Sequence, residues 1–481
     1  MGVRKQSGSE EAVREKGGYH SLWFLLFLSW TLLYIDRSIT GPVVAWMIDN
    51  DVGFLADAPL PFALGGIIGS MFFAGYMLTQ FPAGYLGDRF GHRAMIVLSL
   101  LWSGVATMMS GLTKNLSSFV ALRVLTGLGE GAYYSNDRAV VCEVTPESKR
   151  SLGLGLVFTG LALGMTLAFV LTPFILEAGE AWLGQEAAWS LPFLIFSIPT
   201  LLLGLALWRR FGIPREMLTS AGLRLALWSL GFLAALMCVY LSAVYLGLGQ
   251  LFQASAVLFA SILLIAIIYR RLGATSLALR DRRLIIMYVS AIPLLYTLWF
   301  FGFWALMVVS EASDLGISGA AVYAGLFGLA NGLGYPLGGR LGDLVGRNHR
   351  PRLYVVLCTG VAASVMVIAL LVDSKADPLL LGGALFIMGV FFASSQTVHM
   401  TITGDLSPPG QRGQTFGMWN LVAEVGAVLA PVLSGVLRDM TGDWTMAILL
   451  DALLLVVSAA MVSFLWLSKT AKHSAPPPTT I

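Results

Sequence analysis

Runs of about 20 apolar residues recur from one end of this chain to the other, and they restrict the fold more than any other feature. A helix of about that length crosses a hydrocarbon core of about 30 Å. Hydrophobic residues make up 57% of the 481 residues and charged residues 12%, whereas soluble domains carry about 25% charged residues. The sequence therefore predicts an all-α, polytopic integral membrane protein whose main surroundings are the lipid bilayer.

The apolar runs predict about 14 transmembrane helices, arranged as six, two and six. In chain order the predicted spans are 21–48, 61–86, 94–112, 119–142, 152–176, 188–208, 223–247, 250–270, 283–309, 319–341, 352–373, 379–404, 414–437 and 443–468. The corresponding divisions are a cytoplasmic tail 1–20, an N-terminal six-helix bundle 21–210, a linker with two extra helices 211–282, a C-terminal six-helix bundle 283–468 and a disordered tail 469–481.

Basic residues are concentrated at the termini and in the loops that follow even-numbered spans, such as Arg89 and Arg93. Only Lys114, Lys375 and Arg438 fall on the opposite side. Because cytoplasmic loops carry an excess of Lys and Arg, we expect both termini in the cytoplasm. The net charge of +3 follows from this sidedness and gives no argument for nucleic-acid binding. The compact loops favour a bacterial inner membrane over a eukaryotic organelle.

Charged side chains interrupt the first and fourth spans. Asp36 and Arg37 lie side by side in "TLLYIDRSIT", near the middle of the first span. A charged group at the bilayer centre costs about 2.5–3.5 kcal/mol on insertion scales, so it needs a partner or a water-filled cavity. Arg123 and Glu130 lie seven residues apart in the fourth span, on one helix face with about 10 Å of rise between them. These four residues are the predicted charged centre.

Two further charges, Asp137 and Arg138, follow closer to the cytoplasmic end of the fourth span. They are interpreted either as a gate salt bridge or as side chains that extend to the interface. The alternative for all six charges is a set of mutually neutralising ion pairs that only fix helix packing. Buried ion pairs are seldom more stabilising than apolar packing, which argues against that alternative.

A decapeptide repeats in the two halves of the chain. "GYLGDRFGHR" (84–93) follows the second span and "GRLGDLVGRN" (339–348) follows the tenth. Its glycines permit a tight turn. Asp88 and Asp343 are predicted to be matched latch residues that accept hydrogen bonds from the N-terminus of a neighbouring helix. Arg89 lies beside Asp88 and is predicted to belong to the same latch. These loops resemble the signature loop of the major facilitator superfamily. That resemblance implies two six-helix bundles that rock around a central site, with 223–270 as an inserted peripheral hairpin.

Three segments carry a closer resemblance. "YIDRS", "YMLTQFPAGYLGDRFG" and "RVLTGLGEGAYY" are similar to the anion:cation symporter family, which includes sialin, vesicular glutamate and phosphate transporters, and bacterial galactonate and hexuronate carriers. The resemblance implies proton-coupled movement of a small organic anion, a sugar acid or other carboxylate, by alternating access. It implies that Asp36 and Glu130 titrate and that Arg37 holds the substrate carboxylate. It also implies that Arg123 pairs with Glu130 and releases it on protonation.

Further residues are predicted to surround this centre. Glu424 departs from the family pattern and is interpreted as a second titrating site or charge partner. His399 is interpreted as a proton shuttle or, alternatively, as a satisfied core residue. The remaining predicted substrate contacts are Tyr34, Tyr76, Gln80, Tyr296, Ser395, Gln396 and Asn420.

Other function classes receive less support from the sequence. A proton-coupled exporter of amphipathic, drug-like or lipid-like cargo, as in the spinster family, is the main alternative, because that family also has an Asp-Arg pair in its first helix. The chain has no phosphate-binding Gly-Lys-Ser/Thr loop, no metal-ligand spacing and no nucleophile-with-base pattern, so we predict neither an enzyme nor a cofactor or metal. We expect a monomer. The substrate, the direction of transport and the choice between protons and sodium stay open.

Overall fold

The computed structural model describes residues 18–146, 149–271, 281–313, 315–408 and 411–473, which form helices joined by short connections. The helices of the first half are α1 (Gly18–Asp49), α2 (Pro61–Phe90), α3 (His92–Ser110), α4 (Leu116–Gly131), α5 (Tyr134–Val144), α6 (Arg150–Leu183), α7 (Gln185–Ala188) and α8 (Leu191–Phe211). A hairpin of α9 (Arg215–Tyr245) and α10 (Gln250–Arg271) follows. The second half contains α11 (Arg282–Ser290), α12 (Ile292–Ser313), α13 (Gly316–Val345), α14 (Arg350–Asp373), α15 (Pro378–Leu406), α16 (Arg412–Thr441) and α17 (Thr445–His473).

The described residues contain 13 helical segments that are long and apolar enough to cross a membrane. This confirms the prediction of an all-α, multi-pass membrane protein. The predicted fourth span, 119–142, accounts for the difference from 14, because it is divided between α4 and α5. Helix α17 continues to His473, so 469–473 is helical and the predicted disordered tail is wrong there. Residues 474–481 and 1–17 lie outside the described residues.

The break between α4 and α5 comes from a tightened turn beside Glu130. The N–H of Tyr133 donates to the carbonyl of Glu130 at 2.9 Å, three residues back instead of four. Such a turn of 3₁₀ type inside a longer helix is common at functional hinges. The sequence predicted one continuous span because the hydropathy of this stretch gives no sign of the tighter turn.

Side chains of neighbouring helices donate hydrogen bonds to the backbone carbonyl groups just before this break. The hydroxyl of Thr79 on α2 donates to the carbonyl of Leu128 at 2.7 Å. The hydroxyl of Ser99 on α3 donates to the carbonyl of Gly129, also at 2.7 Å. Irregular backbone at membrane depth needs such internal partners, because no water is available there. The break is therefore built into the packing of α2, α3 and α4.

The two halves form two bundles that meet along three helix pairs. Helix α2 packs against α16, α6 against α13, and α1 against α12. At the end of the molecule opposite the termini, the carboxylate of Asp439 on α16 accepts a hydrogen bond of 2.7 Å from the N–H of Ala63 on α2. A Cβ added at Gly66 would collide with the backbone of Pro431 and Val432. The bundles are thus in tight backbone contact at this end.

The inserted hairpin packs on the seam between the bundles. Helix α10 contacts α2 of the first bundle and α16 of the second, and α9 contacts α2, α3 and α4. The rings of Phe81 on α2 and Tyr269 on α10 stack with centroids 4.5 Å apart. The hairpin is peripheral in the sense that it lies outside both bundles. Its functional role stays a prediction.

The repeated decapeptides differ from the expectation in one respect. Both α2 and α13 stay helical through the aspartates and end at glycines with positive φ, Gly91 at 90° and Gly346 at 70°. The side chains of Asp88 and Asp343 therefore project from the last helical turn and are 77% and 82% exposed. Their contacts are a histidine and an arginine, not a helix N-terminus, so the predicted latch geometry is wrong.

The contacts of the two aspartates are similar to each other. Asp88 lies 3.4 Å from Nε2 of His92, and Asp343 lies 3.2 Å from Nη2 of Arg350. Arg89 has its guanidinium 5.6 Å from the ring centre of Phe90. Exposed pairs of this kind contribute at most about 1 kcal/mol.

Candidate functional site

A cavity of about 410 Å³, counting its opening, lies between the two bundles. Five of the predicted substrate contacts and the predicted charge partner Glu424 line it. The lining residues from the first bundle are Trp30, Tyr34, Arg37, Tyr76, Tyr134, Phe158 and Leu161, and those from the second are Leu295, Leu298, Trp299, Gln396, Met400, Trp419, Asn420 and Glu424. Ligand sites occur preferentially at domain interfaces and between the helices of bundles, so this position makes the cavity a candidate ligand site.

Arg37 connects the cavity to the charged centre behind it. Its Nε donates to Oε2 of Glu130 at 2.5 Å, and both side chains are buried. Its guanidinium carbon lies 4.1 Å from the ring centre of Tyr76 and 4.8 Å from that of Tyr34. Among the described residues Nη2 of Arg37 has no hydrogen-bond partner. One side of this guanidinium is therefore fixed by a carboxylate and an aromatic cradle, and another donor is unused.

The second buried pair joins Asp36 to Arg123. Nη1 of Arg123 lies 3.5 Å from Oδ1 of Asp36 and 3.3 Å from the hydroxyl of Thr40. The resemblance implied that Arg123 pairs with Glu130, and in this structure that pairing is wrong. Arg123 and Glu130 share a face of α4 but are separated by two turns, so each reaches the acidic or basic residue of α1 at its own level.

Hydroxyl groups complete the shell around this pair. The hydroxyl of Thr107 on α3 donates to Oδ2 of Asp36 at 2.5 Å. Nη2 of Arg123 donates to Thr126 at 2.9 Å, to Thr107 at 3.2 Å and to Ser110 at 3.4 Å. Neutral groups as well as charge thus stabilise this buried ion pair, although Nε of Arg123 has no hydrogen-bond partner among the described residues.

The sequence analysis missed these hydroxyls, although a signal for them exists. Ser99, Ser103, Thr107 and Ser110 recur at spacings of four, four and three in α3. Residues at these spacings share one face of a helix. A polar stripe in an otherwise apolar span indicates that the face is turned toward other polar groups, here Asp36 and Arg123.

Polar residues of the second bundle form a short chain at the cavity. Nδ2 of Asn420 on α16 donates to Oε1 of Gln80 on α2 at 3.0 Å and to Oε1 of Glu424 at 3.3 Å. Oε2 of Glu424 has no hydrogen-bond partner in the described part of the chain. Gln396 lines the cavity and accepts from the hydroxyl of Tyr335 at 3.1 Å. Gln80 contacts a lining residue without lining the cavity itself.

Asp137 and Arg138 lie beneath the aromatic wall of the cavity. Their side chains are 3.2 Å apart and are 2% and 26% exposed. Nε1 of Trp30 donates to Asp137 at 2.7 Å, and the guanidinium of Arg138 lies 3.9 Å from the ring centre of Tyr134. Because Trp30 and Tyr134 both line the cavity, this pair holds part of its wall.

Besides Gln80, two more predicted substrate contacts lie outside the cavity, Tyr296 and Ser395. Helix α12 presents Leu295, Leu298 and Trp299 to the cavity, and Tyr296 is not among the residues that line it. The backbone of Tyr296 lies against Gly426 on α16. The hydroxyl of Ser395 donates to the carbonyl of Phe392 on its own helix at 2.7 Å. The predictions that Tyr296 and Ser395 line the substrate cavity are therefore wrong. The reason is the rotation of each helix about its axis, which hydropathy alone does not predict.

His399 is a buried residue with both ring nitrogens in use. Nε1 of Trp419 donates to Nδ1 of His399 at 2.9 Å, and Nε2 lies 2.9 Å from the hydroxyl of Ser290. The histidine therefore orients Trp419, a lining residue that the sequence analysis missed along with Trp30 and Phe158. In the described ranges, no three His, Cys, Asp or Glu side chains are grouped so as to hold a metal ion.

Comparison with known families bears directly on this arrangement. The sequence matches the model of the Major Facilitator Superfamily over residues 26–323 and 294–480. The chain belongs to this superfamily. Two bundles around a central site are what the resemblance in the repeated loops led us to expect, and the buried charges beside the cavity were predicted from the first and fourth spans.

Relatives of this Major Facilitator Superfamily member include transporters of anions. A probable sulfoacetate transporter of Cupriavidus necator is 25% identical over 456 residues, which is 93% of each chain. A probable galactarate/D-glucarate transporter of Bacillus subtilis is 23% identical over 434 residues, 88% of this chain and 87% of the relative. A probable 4-methylmuconolactone transporter of Cupriavidus pinatubonensis is 31% identical over 137 residues, and the chain spans only 31% of its length.

Solved structures of the superfamily share the fold. A bacterial homologue of the human lysosomal transporter Spinster, in an inward-facing and occupied conformation, superimposes with a TM-score of 0.67. The match covers 95% of this chain and 99% of that one, at 16% sequence identity. At this identity the similarity shows the fold alone.

Proposed function

We propose that this protein is a secondary active transporter that moves a small organic anion, a sugar acid or another carboxylate, coupled to protons by alternating access. The observation that carries the proposal is the position of Arg37. It lines the cavity, contacts Glu130 at 2.5 Å and keeps an unpartnered Nη2 among the described residues. Guanidinium is well suited to the task, because it stays charged and can bind a carboxylate through two parallel hydrogen bonds.

Competition for Arg37 supplies the coupling. In the arrangement described above, Glu130 occupies Nε of Arg37 and leaves only part of the guanidinium for a ligand. Protonation of Glu130 removes its negative charge and releases Arg37 to bind the substrate carboxylate through two donors. By linkage, the bound substrate favours protonation of Glu130 by the same factor. Coupling free energies are typically about 1–3 kcal/mol, or about 5- to 150-fold in affinity.

Asp36 and Arg123 extend this exchange of partners. Asp36 precedes Arg37 in the chain, so movement of Arg37 toward the substrate also moves the backbone that carries Asp36. Removing one member of a buried ion pair costs about 3–5 kcal/mol. The Asp36–Arg123 pair is therefore proposed to be either fully formed or broken, and a small shift of the backbone at Asp36 decides between these two states. Asp36 is therefore proposed as the second proton site and Arg123 as its charge partner.

Alternating access would come from rocking of the two bundles on the contacts between α2 and α16 and between α6 and α13. The charges of the loops support an orientation with both termini in the cytoplasm, and we propose a bacterial inner membrane. The full-length relatives named for sulfoacetate and for galactarate and D-glucarate support a small organic anion as the cargo.

A screen of acids in proteoliposomes tests this function. The purified full-length protein is reconstituted, and uptake of radiolabelled sugar acids, dicarboxylates and aromatic acids is measured with and without an imposed pH gradient. We expect gradient-dependent accumulation of at least one acid, loss of that uptake in Arg37→Ala, and near-normal uptake in the control Arg282→Ala, an exposed arginine at the start of α11. Accumulation that survives Arg37→Ala would overturn the proposal.

One observation favours a second candidate, an exporter of amphipathic or lipid-like cargo. Trp30, Phe158, Trp299 and Trp419 contribute aromatic faces to the cavity, and such surfaces also suit apolar cargo. Efflux of a lipophilic cation from the same proteoliposomes, without uptake of any acid, would support this candidate.

A further inference from the structure

We propose that the cavity takes a monocarboxylate whose far end carries a hydrogen-bond donor, a hydroxyl or an ammonium group, and that Glu424 excludes dianions. This inference rests on the proposed function, because it names the substrate class of the same cavity. It concerns the wall of the cavity that the second bundle supplies, where Glu424 departs from the resemblance that the sequence otherwise shows.

Glu424 is the acidic side chain that lines the cavity from the second bundle. Its residue is 4% exposed, and Oε1 accepts a hydrogen bond from Asn420 at 3.3 Å. Asn420 is fixed in turn by Gln80 at 3.0 Å. Oε2 has no hydrogen-bond partner in the described part of the chain. A buried acceptor without a partner is costly, and a ligand that donates a hydrogen bond to it would remove that cost.

The wall that the first bundle supplies has the complementary character. Nη2 of Arg37 is a charged donor without a partner among the described residues, and Arg37 belongs to the first bundle. A ligand that spans the bundles therefore meets a donor on α1 and an acceptor on α16. The complementary ligand carries an acceptor at one end and a donor at the other.

A second carboxylate at the far end would meet Glu424 directly. Like charges in a site with few water molecules repel strongly, and specificity often depends on such a repulsive contact. The rings of Tyr34, Tyr76 and Trp299 also line the cavity, and aromatic faces pack well against the C–H groups of a carbon chain. The two polar groups on opposite bundles thus select the ligand by charge, and the aromatic rings accept its carbon chain by shape.

Gluconate and glucarate test the inference, since they share a six-carbon chain and differ only in a terminal hydroxymethyl or carboxylate group. The full-length protein is titrated with each acid at neutral pH, and the fluorescence of the cavity tryptophans reports binding. We expect gluconate to bind at least about tenfold more tightly than glucarate. The pair 6-hydroxyhexanoate and adipate repeats the comparison without the hydroxyls along the chain. Equal affinities, or tighter binding of the dianions, would overturn the inference, as would binding of none of the four acids.

Substitutions at Glu424 assign the selectivity to this residue. In Glu424→Gln the ratio of the two dissociation constants should fall at least about tenfold, and Glu424→Asp, which keeps the charge, should retain a preference for gluconate. An unchanged ratio in Glu424→Gln would overturn the assignment, and if that variant does not fold, the wild-type ratio decides. Equal binding of both acids, with both lost in Arg37→Ala, would refute this inference while leaving the proposed function intact.

Discussion

Asn420 on α16 donates a hydrogen bond of 3.0 Å to Gln80 on α2, and this contact joins the two bundles beside the cavity. A hydrogen bond that crosses the interface of two moving bundles stabilises one of their arrangements over the other. The same amide group of Asn420 also contacts Glu424. The pair therefore links the shape of the cavity to the relative position of the bundles.

A double-mutant cycle on this pair measures its contribution. We expect Gln80→Ala and Asn420→Ala each to raise the KM for uptake several-fold, because each removes the same hydrogen bond, worth about 0.5–1.5 kcal/mol. The double variant should raise KM by clearly less than the product of the two single effects. Gln253→Ala is the control, since Gln253 donates to the carbonyl of Leu248 within the hairpin. Fully multiplicative effects would show that the two side chains act independently.

The hydroxyl of Thr107 should be important for stability. Thr107→Val keeps the shape of the side chain but removes the donor to Asp36 and an acceptor for Arg123. We expect a loss of about 1–3 kcal/mol in the free energy of unfolding, the cost of leaving buried polar groups without a partner. Denaturant unfolding in detergent would measure it.

Ser103→Ala provides the matched control on the same face of α3. The Ser103 hydroxyl donates to the carbonyl of Ser99 on its own helix at 2.8 Å, so its loss leaves the Asp36–Arg123 pair untouched. A destabilisation by Ser103→Ala as large as that by Thr107→Val would contradict the role given to the hydroxyl shell.

Close contact between α2 and α4 depends on the absence of a side chain at Gly127. A Cβ there would collide with the backbone of Phe72 and Tyr76 on α2. Gly127→Ala should therefore destabilise the protein by about 1–3 kcal/mol and lower its Tm. Gly231→Ala in α9 has nothing within 4 Å of the added carbon and should be neutral or stabilising by up to about 1 kcal/mol. Similar Tm changes for the two variants would contradict the packing account.

Hydropathy was sufficient to predict the helices, because each span must bury its backbone polar groups within itself. It was insufficient at Glu130, where the turn depends on hydroxyls from α2 and α3 that are distant in the sequence. The fourth span was therefore predicted as continuous. The repeated loops predicted two related bundles, yet the latch role of Asp88 was wrong because the helix continues past it.

The site was predictable in its membership more than in its pairing. A charge in an apolar span stands out, so Asp36, Arg37, Arg123 and Glu130 were found without a structure. Which carboxylate meets which guanidinium depends on how α1 and α4 are rotated and offset, and local spacing contains no such information. The same reason explains why Tyr296 was chosen when its neighbour Trp299 faces the cavity.

The measurement that tests the central claim most directly compares two kinds of transport by Glu130→Gln in the same proteoliposomes. Glutamine keeps the shape of the side chain but cannot exchange a proton at this site, so Arg37 stays available to the substrate. We expect counterflow exchange of the transported acid to continue and accumulation driven by a pH gradient to disappear. Accumulation equal to that of the wild-type protein would contradict the claim that protons and the anion compete for Arg37.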